Sequence, residues 1–168
     1  MSDTRPAGGH LLGNRHLLPL RVYYEDTDAG GIVYHGNFVR FFERGRSEML
    51  RALGIDHAAA WRDPDPGARV GFAVRHMEID YLAPALLDDA LTVHSEVVKV
   101  AAAYVDARQW IARDGTTIAR ARFRVALVDE RGRPRRMPAD WRRKLATVAV
   151  RDDDGSGIAE MTADAGSD

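Results

Sequence analysis

From Asn37 to Leu53 the apolar residues Phe38, Phe41, Phe42, Met49, Leu50 and Leu53 recur mostly at steps of three and four. Arg40, Glu43, Arg44, Arg46, Glu48 and Arg51 take the intervening positions. That period predicts an amphipathic helix lying on a core, and Gly54 stands where a C-terminal cap belongs. Further along, the period shortens to two. Val70 to Leu82 alternates with a change of phase near Arg75 and His76, which predicts a strand with a bulge. Leu91 to Val100 and Ala103 to Ala112 read as two more strands, and Asp114-Gly115 is a hairpin turn signal. Thr117 to Leu127 then sets Ala119, Ala121, Phe123, Val125 and Leu127 on one face and Arg120, Arg122 and Arg124 on the other. Ahead of the helix, Leu18 to Tyr24 reads as a first strand. At the other end, Pro138 to Ala146 reads as a short helix opened by its proline.

The predicted order is a strand, a long helix and four consecutive strands. Segregation of this kind implies an α+β fold with an antiparallel sheet, not repeated βαβ units. Several small α+β folds share the pattern. Residues 1–17 mix Gly, Pro, Arg and His without an apolar core segment, which predicts a flexible leader and excludes a secretory signal there. Residues 149–168 are rich in Asp, Gly, Ser and Ala and predict a disordered acidic tail. Residues 18–148 remain as one domain around one core.

Composition narrows the chemistry. The 168 residues include no cysteine, which excludes a thiolate nucleophile, a disulfide framework and a Cys-ligated zinc site. The absence also fits a reducing compartment, and the cytoplasm is the expected location. A formal charge of −1 gives no overall attraction to nucleic acid. No apolar run approaches the roughly 20 residues that span a bilayer.

The segment from Tyr23 to Asn37 carries the candidate chemistry. A strand ends in Tyr23-Tyr24, an acidic turn Glu25-Asp26-Thr27-Asp28 follows, and Gly30-Gly31 leads through Ile32-Val33-Tyr34 to His35-Gly36-Asn37 at the helix start. A helix N-terminus offers unpaired N–H groups that can polarise a carbonyl and hold an oxyanion. A carboxylate just before it can attack that carbonyl or activate water. An Asp in such a turn can equally cap a helix or close an Asx-turn, so the residues alone leave both readings open.

Arg21 to His35 and Asn37 to Leu50 resemble the Tol-Pal-associated acyl-CoA thioesterases, of the 4-hydroxybenzoyl-CoA thioesterase branch of hotdog proteins. The resemblance continues through Phe72 to Asp89 and covers roughly residues 18 to 145, with Asp26-Thr-Asp-Ala-Gly-Gly31 its most specific part. It implies a hotdog fold, a long central helix wrapped by a curved antiparallel sheet, in a homodimer or a tetramer of paired dimers. It implies hydrolysis of acyl-CoA or acyl-carrier-protein thioesters without a cofactor, with Asp28 as catalytic carboxylate. The N–H groups from Tyr34 to Gly36 would polarise the thioester carbonyl, His35 would position water or substrate, and Gly30 and Gly31 would border the substrate. A non-catalytic hotdog that binds acyl groups or proteins near the cell envelope is the alternative.

Other residues have weaker claims. Glu43 and Arg46, three apart, and Arg44 and Glu48, four apart, read as surface or subunit-facing ion pairs; the alternative for Glu43 is that it lines the site. Glu25, Asp26 and Asp28 lack the spacing of a calcium loop, and no metal is expected. Arg131, Arg133, Arg135 and Arg136 form a basic run, either a solvated turn or a contact for CoA phosphates. Arg120, Arg122 and Arg124 have a smaller claim to the same role. Trp61, Trp110 and Trp141 read as packing residues.

Overall fold

A computed structural model describes residues 6–150. The helix signalled by the three-to-four period is α1, His35–Ala52, which buries Asn37, Phe38, Phe41, Phe42, Gly45 and Met49. It ends as its sequence implies: Gly54 adopts φ +67°, and the Gly54 and Ile55 N–H groups return to Arg51 O and Leu50 O at 2.9 Å each.

Six strands form one antiparallel sheet: β1 His10–Leu12, β2 Arg15–Arg21, β3 Gly71–Tyr81, β4 Ala90–Val100, β5 Tyr104–Arg113 and β6 Thr116–Val128. Their lateral order is β1-β2-β4-β5-β6-β3, so β3 crosses to the far edge before the meander begins. The bulge anticipated in β3 falls between Val74 and His76. Asp114 and Gly115, with φ of 49° and 79°, make the hairpin between β5 and β6. Two short α-helices, α2, His57–Trp61, and α3, Ala139–Thr147, also lie among the described residues. Asp56 caps α2 by accepting the Ala59 N–H at 2.8 Å.

The apolar face of α1 lies across the sheet, as in a hotdog. Phe38, Phe41 and Phe42 pack with Val22, Leu91, Val93, Ile111, Ile118 and Phe123. Beyond the end of the helix a second cluster, including Ile55, Leu127, Met137 and Leu145, is covered by α3. Midway, α1 comes close to the sheet at Gly45, where an added Cβ would lie 2.8 Å from Val93 and 3.0 Å from both Gln109 and Ser95. Beneath it, Gln109 Nε2 donates to Phe42 O at 2.9 Å and to Ser95 Oγ at 2.7 Å, and Gln109 Oε1 accepts from Arg46 at 2.8 Å. Burial draws the Arg46 guanidinium pKa down, opposed by Glu43.

Two boundaries differ from expectation. Residues 10–17, expected as part of a flexible leader, form β1 and the start of β2, with His10 opposite Leu17 and Arg15 opposite both Leu12 and Glu96. The first strand thus starts at Arg15, not Leu18, and ends at Arg21, while Tyr24–Asp26 is one tight helical turn. The sequence gives little sign of this because β1 has three residues and its hairpin turn holds Gly13 and Asn14. At the other end, Ala149 bridges to Val97 and the Val150 N–H donates to Val97 O at 2.9 Å. These first two residues of the expected tail therefore pack on β4. The rest of the tail, 151–168, lies outside the described residues.

His16, fully buried in β2, shares a 2.9 Å hydrogen bond between Nε2 and Gly8 O, and its Nδ1 has no partner among the described residues. Burial lowers its pKa, the Gly8 bond and Glu48 act in the opposite direction, and His10 adds to the lowering. The neutral imidazole is therefore the form that the fold accepts. Stability should hold above the unfolded value of about 6.5 and fall as pH drops below it toward the lowered folded value. Urea midpoints on either side of that window check this. A His16→Leu variant should flatten the slope, and an unchanged slope in the variant would refute the assignment.

Candidate active site

The acidic turn forms a miniature hairpin. The Asp28 N–H donates to Ile32 O at 2.9 Å, Thr27 pairs with Val33, and the Tyr34 N–H donates to Asp26 O at 2.9 Å. Its tip is Asp28 to Gly31, closed by the Gly31 N–H to Asp28 O at 3.0 Å, with Gly31 at φ +79°. A side chain is strained in that conformation, so the glycine suits the turn. The hairpin is fastened to the loop before β4: the Val33 N–H donates to Ala85 O at 2.8 Å and Ile32 bridges to Leu86. That loop is braced by Asp89, whose Oδ2 accepts from the Leu86 N–H at 2.8 Å and from Arg113 at 2.6 Å. Burial acts to raise the Asp89 pKa, but these two donors outweigh it and hold the carboxyl below its usual range.

Asp28 does close an Asx-turn, its Oδ1 accepting the Gly30 N–H at 2.8 Å. It does not cap α1. The N-cap of that helix is Tyr34, no side chain bonds there, and the first turn holds no acidic residue. The local role of Asp28 therefore uses one oxygen. The residue is exposed, and Oδ2 has no partner among the described residues.

The other predicted residues fall at the opposite end of the same hairpin. Tyr34, His35 and Gly36 form the start of α1; contrary to expectation the Tyr34 N–H is committed to Asp26 O, which leaves those of His35 and Gly36 ahead of the first intrahelical acceptors. His35 is exposed, and no hydrogen bond joins it to Asp28 among the described residues. Its ring lies 4.3 Å from that of Tyr34 and 6.3 Å, edge-on, from that of Tyr81. The Tyr81 hydroxyl donates to His35 O at 3.2 Å; partial burial raises its pKa, as does Tyr34 beside it. Around the site Ile32, Tyr34, Tyr81, Leu82 and Leu86 are exposed apolar or aromatic side chains. A carboxylate with a free oxygen, an uncapped helix start and an apolar rim can together bind and polarise an acyl carbonyl and supply a nucleophile or base.

Two participants were not found from sequence. Asp26 is buried, and its Oδ2 accepts the Tyr23 N–H at 2.9 Å. Asn37 is also buried, and its Nδ2 donates to Asp26 O at 2.9 Å. A polar residue on the apolar face of α1, one position before Phe38, was the available signal for Asn37.

The secondary candidates lie elsewhere. Glu43 pairs with Arg46 as anticipated. Glu48 pairs with Arg51, not with Arg44, whose guanidinium lies 5.8 Å over the Phe41 ring. On the outer sheet face Arg120 donates to Asp80 at 2.8 Å, and Arg124 makes two bonds to Asp106 at 2.7 and 2.8 Å. Trp110 stacks on His94 at 4.7 Å and Trp141 on Phe72 at 5.5 Å. The basic run follows β6, whose end pairs Val128 with Gly71, whereas the hairpin site lies at the Tyr81 end of β3. At about 3.3 Å per residue β3 separates the two by roughly 30 Å. No helix among the described residues is long and apolar enough to cross a membrane.

The family model of the thioesterase-like superfamily matches residues 22–145. The acyl-CoA thioesterase YbgC of Haemophilus influenzae is 40% identical over 119 residues, 71% of this chain and 85% of that protein. The acyl-CoA thioester hydrolase YbgC of Escherichia coli is 40% identical over 122 residues, 71% of this chain and 87% of its own length. Among solved structures, a probable thioesterase from Bartonella henselae superposes with a TM-score of 0.70 at 38% identity, covering 74% of this chain and 99% of that one. Matched by the family model along nearly the whole described domain, and 40% identical to these relatives over 71% of its length, this chain is a member of the thioesterase-like superfamily and one of its hotdog-fold thioester hydrolases.

Proposed function

We propose that the protein hydrolyses acyl-CoA thioesters with Asp28 as the catalytic carboxylate, while the first free N–H groups of α1, those of His35 and Gly36, polarise the thioester carbonyl and Tyr34 borders the substrate with its exposed ring. One observation carries the reading. Asp28 is exposed with Oδ2 uncommitted, at one end of a hairpin whose other end is an α1 N-terminus without a capping side chain. The helix dipole and free donors there favour the developing oxyanion. The relatives' names supply the acyl-CoA part of the reading. His35 orients water or substrate, and Gly30 and Gly31 keep the approach to Asp28 open. Attack by Asp28 to give a mixed anhydride and general-base activation of water both fit this arrangement.

The reading extends to a homodimer or a dimer of dimers. Strand β3 is an open edge that carries exposed Val74, Met77 and Tyr81. Antiparallel pairing of β3 with a second copy would bring that copy's segment after β6, with its basic run, toward the Tyr81 end of this one. Arginines there suit the phosphates of CoA. Membership of the 4-hydroxybenzoyl-CoA branch, association with the Tol-Pal system in the cytoplasm and use of acyl carrier protein thioesters rest on the sequence resemblance.

The test is thiol release across short, long and aromatic acyl-CoAs, beside calorimetric titration with CoA. Turnover of at least one acyl-CoA is expected. Binding without turnover on any of them would instead support the acyl- or protein-binding alternative.

A further inference from the structure

Asn37 occupies the third position of α1 and faces inward, 6% exposed. A polar side chain on a buried helix face most often satisfies a neighbour on the sheet or on its own helix. This one does neither. Its Nδ2 donates at 2.9 Å to the carbonyl oxygen of Asp26, on the outgoing arm of the hairpin two residues before Asp28. The same oxygen accepts the Tyr34 N–H at 2.9 Å, so both of its lone pairs are used. On its other side the Asp26 carboxylate holds the Tyr23 N–H at 2.9 Å, which fixes the base of the arm to the strand segment before it.

We propose that Asn37 is a positioning residue for Asp28, its side-chain amide clamping the carboxylate-bearing arm of the hairpin to the helix whose N–H groups receive the substrate carbonyl. The inference rests on Asp28 being the catalytic carboxylate. Without the clamp, the Tyr34 bond to Asp26 O and the Val33 bond to Ala85 O still tether the hairpin. The fold survives and the arm gains freedom to swing. Displacing a reacting group by about 1 Å costs on the order of a hundredfold in rate. Substrate contacts made away from the arm are untouched, so the loss belongs in kcat and not in KM.

Asn37→Ala removes the donor and leaves Asp26 O with its Tyr34 partner. It should lower kcat for the best acyl-CoA substrate by about tenfold to a hundredfold with KM within about threefold. Asn37→Asp keeps the shape but, when ionised, turns a negative oxygen toward the Asp26 carbonyl. When protonated, it supplies an O–H donor. In a buried site beside Asp26 the introduced carboxyl should titrate well above the ordinary value of about 3.9. Its kcat deficit, relative to the parent, should therefore shrink as pH is lowered from about 8 to about 6, while that of Asn37→Ala stays level. His35 on the same helix turn and Tyr81 opposite it are common to both variants and do not distinguish them.

A kcat within twofold of the parent in Asn37→Ala would overturn the proposal. So would a loss that appears equally in kcat and KM, or a deficit in Asn37→Asp that tracks Asn37→Ala at every pH. Should Asn37→Asp prove unfolded by circular dichroism, Asn37→Ala alone decides through its kcat and KM. Asp28→Asn, assayed alongside, separates the two failures. If it is inactive while the Asn37 variants match the parent, only the clamp is wrong. If it is fully active, the catalytic reading and the clamp fall together.

Discussion

Replacing Asp28 by Asn should lower kcat for acyl-CoA hydrolysis by a factor of about a thousand or more, on the order of 4 kcal/mol of transition-state stabilisation. The substitution isolates charge from structure. An amide oxygen in place of Oδ1 can still accept the Gly30 N–H, which lies 2.8 Å away, so the Asx-turn and the Gly31 conformation persist. Lost is the anion that attacks the carbonyl or takes the proton from water. Melting temperature and oligomer size should match the parent, and thiol release should fall close to background. Activity within about tenfold of the parent, in a variant with an unchanged melting temperature, would remove Asp28 from the chemistry. KM is expected to move little, because Asp28 binds no fixed part of the substrate in the ground state.

The largest effect on stability is expected at Gln109. It is fully buried under the close approach of α1 and joins the helix to two strands through Phe42 O, Ser95 Oγ and Arg46. Gln109→Leu has nearly the same volume but no polar atom. Buried Ser95 and half-buried Arg46 would each lose a partner, at about 1–3 kcal/mol per orphaned group. A loss of about 3 kcal/mol follows, a large share of the total for a domain of this size. Arg46 keeps Glu43 and its position 4.0 Å over the Phe123 ring, which limits the damage. The shift in urea unfolding free energy measures it, and a change below about 1 kcal/mol would show that the hub carries little. By contrast, truncating Arg120, which pairs with Asp80 at the surface, should cost under about 1 kcal/mol.

Where one face of an element is buried and the other wet, the sequence was readable. The period of α1, the alternation of β6, the bulge in β3 and the Asp114-Gly115 turn all recur in the structure at or near the expected residues. Strand β1 escaped because a three-residue edge strand has no period to detect. His16 escaped because a buried histidine in a polar-looking segment resembles a solvated one. The lateral order of the sheet is a long-range property; nothing local tells β3 to pair with β6 and not with β4. In the site, residue types suggested a carboxylate beside a helix start, and the resemblance selected Asp28. Of the two residues that tie its hairpin to α1, Asp26 acts through its main-chain carbonyl, which leaves no mark in side-chain pattern, while the side-chain amide of Asn37 leaves one mark only, a polar residue on the buried face beside Phe38.

The unequal margins of the sheet set how assembly can proceed. On one side, among the described residues, lies β1 with three residues, and on the other β3 with eleven. Fibrous growth by edge pairing needs two adhesive margins per molecule, so that each addition presents a fresh one. A sheet with one long margin uses it up on its first neighbour. If β3 pairs with its own copy about a twofold axis, the only long margin is hidden and the chain reaction has no second step. In such a dimer the short N-terminal hairpin, with three residues in β1, would act as the terminator of polymerisation.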